Sequence, residues 1–193
     1  MFVLVLGLVL FLGVHSERIV APGFREAFIA RRGDNAWKGL YSLLSLLGIV
    51  LVVWGYGLAR LDPVVIYSPP VWMRHISLVL LMPVFVLIVS AYAPGHIKAK
   101  AKHPMLAAVK LWAFAHLLAN GTLADVLLFG SFLAWAVVDR ISLKRRPASK
   151  PGHEVKGQPN WANDVIALVV GATIYVAFLL FLHEWLIGVS PLA

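Results

Sequence analysis

Residues 165–182 read VIALVVGATIYVAFLLFL, a stretch of 18 residues without one charged side chain. About 20 apolar residues in a helix cross the hydrocarbon core of a bilayer, because each residue adds about 1.5 Å of length. The apolar character continues to residue 187. The stretch therefore predicts a membrane-spanning helix over 165–187.

The rest of the chain has the same apolar character. Of its 193 residues, 61% are hydrophobic and 13% charged, and the mean hydropathy is +0.85. Soluble domains carry about 25% charged residues, so a water-soluble fold is excluded. Together these features predict an all-α fold, a polytopic membrane helix bundle of about six transmembrane helices in a single domain, 1–193. The other predicted spans are 1–20, 40–58, 75–93, 104–119 and 122–138.

The basic residues predict the orientation of the chain in the membrane. Its net charge of +8 is concentrated in alternate loops, which the positive-inside rule assigns to the cytoplasm. Loop 139–164 is one of them, with prolines and glycines among its lysines and arginines. We therefore expect a multi-pass protein of the inner membrane with both termini on the outer, periplasmic side. These basic residues are expected to interact with the lipid bilayer and not with nucleic acid.

Histidine is the residue type with most potential for chemistry. The absence of cysteine excludes disulfides, thiolate metal sites and cysteine nucleophiles. Among seven histidines, His15 and His116 lie inside apolar runs, where a polar ring needs a hydrogen-bond partner or a ligand. The residues alone permit two interpretations, a hydrogen-bonded interhelical histidine or an axial ligand of a b-type haem, which needs no Cys-x-x-Cys-His motif. The predicted topology offsets the two histidines by roughly 10 Å along the membrane normal.

Other polar residues near His116 suggest supporting roles. Trp112, His116 and Asn120 are spaced by four and share one helix face, so Asn120 can orient the imidazole. Lys110, within the same apolar run, is expected to extend toward the inner membrane surface or to pair with an acid or with a haem propionate. His96 falls in a predicted loop and receives no role. The sequence contains no Ser-His-Asp arrangement, phosphate-binding loop or zinc-helix motif.

Four stretches resemble one bacterial family, the NnrU family. They are FLGVH (11–15), AWKGLYSL (36–43), KHPM (102–105) and LWAFAHLLANG (111–121). This family is similar in turn to the plant 15-cis-zeta-carotene isomerase, a membrane enzyme that uses haem b. The resemblance implies that His15 and His116 stand at haem-ligating positions, and that His103 of the His-Pro motif has a supporting role.

The resemblance also implies a function, although whether the protein is an enzyme stays open. The family is associated with denitrification and nitric oxide or nitrite metabolism, which favours a haem-b protein acting as a sensor, a haem-handling factor or a redox factor. The alternative is a haem-dependent cis–trans isomerase of an apolar polyene. In the plant enzyme a proposed cysteine ligand lies three residues before the second histidine, and here that position is Ala113. Ligand exchange to a thiolate is therefore impossible.

Two further alternatives have less support. An enzyme resembling the isoprenylcysteine carboxyl methyltransferases would begin a late helix with Arg-His-Pro, whereas here Lys102 precedes His103. The later aromatic and acidic segment that binds the methyl donor in those enzymes is also missing. The other alternative is an assembly factor without a cofactor.

Overall fold

The computed structural model describes residues 1–145 and 159–192, and these residues form helices and no β-strand. The prediction of an all-α membrane bundle is confirmed. One π-helical turn, Phe178–Leu182, joins the last two helices. In chain order the helices are α1 (Phe2–His15), α2 (Glu17–Val20), α3 (Phe24–Arg32), α4 (Asp34–Ala59), α5 (Val71–Tyr92), α6 (His96–Ala101), α7 (Pro104–Ala119), α8 (Leu123–Arg145), α9 (Trp161–Ala177) and α10 (His183–Ile187).

Four helical segments are long and apolar enough to cross a membrane, so the protein is a multi-pass membrane protein. They are α4, α5, α8 and the continuous segment Trp161–Ile187. The apolar helices α1 and α7 have only 14 and 16 residues. At 1.5 Å per residue they extend about 21 and 24 Å, less than a hydrocarbon core of about 30 Å. The expected count of about six spans therefore stays a prediction.

The N-terminal helix is shorter than predicted, and the prediction that it continues to residue 20 was wrong. It ends at His15, where Ser16 takes a conformation that lets its N–H bond to Gly13 O. The short helices α2 and α3 then occupy the region expected to be loop. Helix α4 begins at Asp34 and not at residue 40, because Lys38 pairs with Asp34 at 2.6 Å and an acidic residue stabilises a helix N-terminus.

Three other boundaries also differ from the sequence prediction. Helix α5 begins directly after Pro70, which ends an extended segment. Helix α8 continues to Arg145, and α9 begins at Trp161, where the Asn160 side chain accepts the N–H of Ala162 at 2.9 Å. Both ends of the expected loop 139–164 are therefore helical, and its residues 146–158 lie outside the described part. In contrast, the predicted start of α7 at Pro104 is confirmed.

The described residues fall into two compact units, and a single domain over 1–193 stays a prediction. Unit one comprises Met1–Ser68 and Asn120–Arg145. Its main packing is α1 against α4, with α8 contacting both. Glycines let the two backbones approach closely: a Cβ atom on Gly55 would overlap the backbone of Leu4, and Leu4 is fully buried.

A polar clamp closes one end of unit one. Residues 64–67 form backbone hydrogen bonds with residues 121–123, and the Tyr67 hydroxyl donates to Asn120 O at 2.8 Å. Asp125, which is 4% exposed, accepts the Tyr56 hydroxyl at 2.6 Å and both the N–H and hydroxyl of Thr122. The buried carboxylate is therefore satisfied and fixes the start of α8.

Unit two comprises Pro69–Ala119 and residues 159–192, with α5 packed against both α7 and α9. A Cβ atom on Gly171 of α9 would lie 2.6 Å from the backbone of Val86 on α5. The Tyr175 hydroxyl donates to Leu78 O at 2.8 Å. Small residues and one interhelical hydrogen bond thus hold these helices together, as in other membrane bundles.

Candidate functional site

His15, the last residue of α1, is held in one orientation by its own helix. Its Nδ1 lies 2.7 Å from Phe11 O. Because a carbonyl oxygen can only accept, Nδ1 must donate, and in the neutral ring the lone pair then lies on Nε2. A backbone carbonyl that fixes Nδ1–H is the usual support of a histidine that ligates a metal through Nε2.

Aromatic rings from three helices of unit one surround His15. Phe11 stacks on it with ring centroids 4.2 Å apart, Tyr41 of α4 lies at 5.3 Å, and Trp135 of α8 stands edge-on at 6.0 Å. The Trp135 indole N–H is buried and has no hydrogen-bond partner within the described ranges. An unsatisfied buried donor is destabilising, so this position beside His15 calls for an acceptor.

A cavity of about 210 Å³ opens beside His15. It is smaller than the roughly 300–1,000 Å³ of pockets that enclose a whole small ligand. Its lining combines aromatic and charged side chains from α1 to α4: Val14, His15, Glu17, Arg18, Arg25, Trp37 and Tyr41.

His116 lies in the last turn of α7, in unit two, and repeats the local geometry of His15. Its Nδ1 lies 2.8 Å from Trp112 O, four residues earlier, and the Trp112 ring centroid is 5.3 Å away. The same argument places the lone pair of the neutral ring on Nε2. Ala113 and Ala115 beside it are fully buried, so this part of α7 packs closely.

The remaining predicted site residues have varied surroundings. Lys110 is half-buried on α7. His103 precedes α7, and its backbone O accepts the N–H of Ala107 at 3.1 Å. Asn120 follows α7 and contributes its backbone O to the clamp with Tyr67. Roles for these three side chains at a haem stay predictions.

His15 and His116 belong to different units, and each is held within its own unit. His183 also donates Nδ1–H to a carbonyl, that of Val189 at 2.7 Å, but across a turn near the end of the chain. Among the described residues no group of three or more His, Asp or Glu side chains could hold a metal ion. A metal held by either histidine would therefore need ligands from outside these residues.

Sequence reasoning missed the pair formed by His96 and Asp164 in unit two. Asp164, 4% exposed, accepts His96 Nδ1–H at 2.7 Å and the backbone N–H groups of His96 and Ile97 at 2.9 Å each. The His96 ring also stacks on Trp161 at 4.2 Å. The available signal was Asp164 itself, because an acidic residue in the first turn of an apolar span needs partners.

Comparison with known proteins gives one match. A family model described as NnrU protein matches residues 3–191, which is nearly the whole chain. No curated protein and no solved structure matches the chain. The resemblance noted on four short stretches therefore extends along the sequence, and the chain belongs to the NnrU family.

Proposed function

We propose that the protein binds haem b through His15 and His116. The observation that carries the proposal is the shared orientation of the two rings, each with Nδ1–H donated to the carbonyl four residues earlier. This leaves Nε2 as the atom that can donate electrons to iron. Both rings are thus in the form that axial ligation requires without a change of tautomer.

The surroundings of His15 support the same proposal. Phe11, Tyr41 and Trp135 provide the flat apolar faces against which a porphyrin packs, and the Trp135 N–H lacks an acceptor among the described residues. The sequence offers no cysteine for covalent attachment, and b-type haem needs none. The chemistry of these side chains is therefore compatible with a b-type haem.

The chain's own contribution would be to hold and orient the two imidazoles. A bound haem supplies one-electron chemistry and affinity for nitric oxide. If His15 and His116 both hold the haem, they would limit the access of nitric oxide to it. We therefore propose a sensor, haem-handling or redox role in nitric oxide or nitrite metabolism. Ala113 is fully buried and carries no thiol, which argues against an isomerase that exchanges histidine for thiolate.

The haem proposal is tested by absorption spectra of the purified protein in mild detergent, oxidised and then reduced with dithionite. Two imidazole ligands give six-coordinate, low-spin iron with sharp, split α and β bands after reduction. His15→Ala and His116→Ala should each lose haem or become high-spin. His75→Ala, which changes an exposed histidine on α5, is the matched control and should keep the wild-type spectrum. A colourless wild-type protein after growth with added haem would refute the proposal.

We also propose that both termini face the periplasm and that the basic loop after α8 faces the cytoplasm. The basis is the distribution of lysine and arginine between alternate loops. Fusions of a reporter active only in the periplasm should be active at the C-terminus and inactive after Lys156. The reverse pattern would overturn the proposed orientation.

A further inference from the structure

Two arginines line the cavity beside His15, and they come from separate short helices. Arg18 lies on α2 and Arg25 on α3, and both follow His15 within ten residues of the chain. Arginine binds carboxylates with its planar fork of N–H donors, which makes two parallel hydrogen bonds possible. The cavity is too small for a whole porphyrin, but carboxylate groups fit within about 210 Å³.

The acidic side chains nearby already have other partners. Glu17 accepts the backbone N–H of Arg25 at 3.1 Å and so caps the start of α3. Asp34 binds Lys38 at 2.6 Å, whereas the Arg25 guanidinium lies 3.8 Å from it. Arg18 forms no ion pair with the described residues. The Arg18 guanidinium therefore remains available for an added carboxylate, and among the same residues Arg25 has only the 3.8 Å ion pair with Asp34 to exchange for one.

Aromatic packing fixes the arginine-bearing segment on unit one. Trp37, 8% exposed, contacts Phe24 and Phe28 of α3 at ring-centroid distances of 6.0 and 5.5 Å. Trp37 also contacts Tyr41, which in turn contacts His15. One continuous set of rings thus positions both His15 and the helix that carries Arg25, which reduces the entropy lost on binding.

We infer that Arg18 and Arg25 bind the two propionate carboxylates of a haem ligated by His15. This inference rests on the proposed function and adds the residues that recognise the charged edge of the cofactor. The aromatic rings beside His15 suit an apolar macrocycle, and the two arginines of the neighbouring cavity would supply positive charge to its carboxylates. Arg18 and Arg25 therefore increase the affinity for haem and add little to the affinity for a haem whose carboxylates are esterified.

The test compares haem with its dimethyl ester, in which both propionates are methylated and uncharged. Full-length apoprotein in detergent is titrated with each compound, for the wild type and for Arg18→Ala, Arg25→Ala and the double variant. Wild type should bind haem roughly a hundredfold tighter than the ester, about tenfold for each arginine. The double variant should bind the two compounds equally. Arg31→Ala/Arg32→Ala changes two exposed arginines of the same α3 helix and should keep the wild-type preference.

The ester also serves as the folding control. Unchanged ester affinity in the double variant shows that the His15 site is intact, and Arg18→Lys/Arg25→Lys should restore part of the preference for haem. A wild type that binds neither compound refutes the proposed function. A wild type that binds both equally, or a double variant that keeps the preference, overturns the arginine assignment and leaves the proposed function standing.

Discussion

The two candidate ligands have the same local geometry in different surroundings. His15 ends its helix, is ringed by aromatic side chains and borders a cavity with two arginines. His116 lies one turn inside α7, next to the fully buried Ala113 and Ala115. The hydrogen bond from Nδ1 to the carbonyl four residues earlier is a property of the helix and is common to both. Both side chains are half-buried, but the residues around them differ.

The largest expected effect is loss of the low-spin spectrum on removing either histidine, and added imidazole distinguishes the two. His15→Ala should recover the spectrum at millimolar imidazole, because His15 is the last residue of α1 and removal of its ring leaves a space among aromatic side chains that free imidazole can occupy. His116→Ala should recover far less, because closely packed alanines flank its position. The measurement is the amplitude of the reduced α band against imidazole concentration. Equal recovery of the α band in both variants would show that free imidazole reaches the two vacated positions equally well.

The next expected effect comes from the glycines that bring helices together in each unit. Gly55→Ala places a methyl group on the Leu4 backbone of unit one, and Gly171→Ala places one on Val86 of unit two. Each should destabilise its unit by roughly 1–3 kcal/mol, because backbone atoms cannot move aside cheaply. Thermal unfolding in detergent measures the effect. Gly57→Ala, where nothing lies within 4 Å, is the control and should leave Tm unchanged or higher.

The glycine variants also separate the two candidate ligands. Gly55→Ala disturbs the α1 and α4 pair that carries His15, whereas Gly171→Ala acts on the contact of α9 with α5 and reaches the α7 helix of His116 only through α5. We expect Gly55→Ala to weaken haem retention more than Gly171→Ala does. The opposite order would indicate that the packing of α1 on α4 around His15 contributes less to haem retention than the packing of α5 on α9.

Each unit also contains one buried carboxylate, and their loss should have a smaller effect. Asp125→Asn replaces one of the two oxygens that accept from Tyr56 and Thr122 in unit one with an NH2 donor, and Asp164→Asn weakens the bonds to His96 and Ile97 in unit two. Both variants should lower Tm by several degrees, since an amide retains part of the geometry but not the charge. Only Asp125→Asn should also affect the haem spectrum, because α8 carries Trp135 beside His15. A spectral change confined to Asp164→Asn would contradict this.

Sequence patterns predicted the helical class and where most apolar helices lie, because hydrophobic runs and the His103-Pro104 start depend on nearby residues. They did not predict α2 and α3, since such short helices are stabilised mainly by packing, here of Phe24 and Phe28 on Trp37. The candidate ligands His15 and His116 could be named from the sequence, but the residues that surround them could not. Trp135 is 120 positions from His15, and Asp164 is 68 from His96, so only tertiary structure brings them together.

The smallest expected effects concern one tyrosine hydroxyl in each unit. Tyr67 is 38% exposed and donates to Asn120 O, while Tyr175 is half-buried and donates to Leu78 O, in both cases at 2.8 Å. Burial and then the Asp125 carboxylate raise the pKa of Tyr67, so its hydroxyl stays protonated and continues to donate in mildly alkaline solution.

Replacing each tyrosine with phenylalanine removes one hydrogen bond and leaves the ring in place. Tyr175→Phe should destabilise the protein by about 0.5–1.5 kcal/mol, whereas Tyr67→Phe should stay at or below the lower limit, because water can replace an exposed donor. Leu78 lies one residue before Val79, whose carbonyl loses its helical donor because Pro83 has no N–H. The hydrogen bond from Tyr175 therefore reinforces α5 where Pro83 interrupts the backbone hydrogen bonds of that helix. Thermal unfolding at matched detergent concentration measures both variants, and a larger loss for Tyr67→Phe would show that the clamp of unit one matters more than the α5 contact.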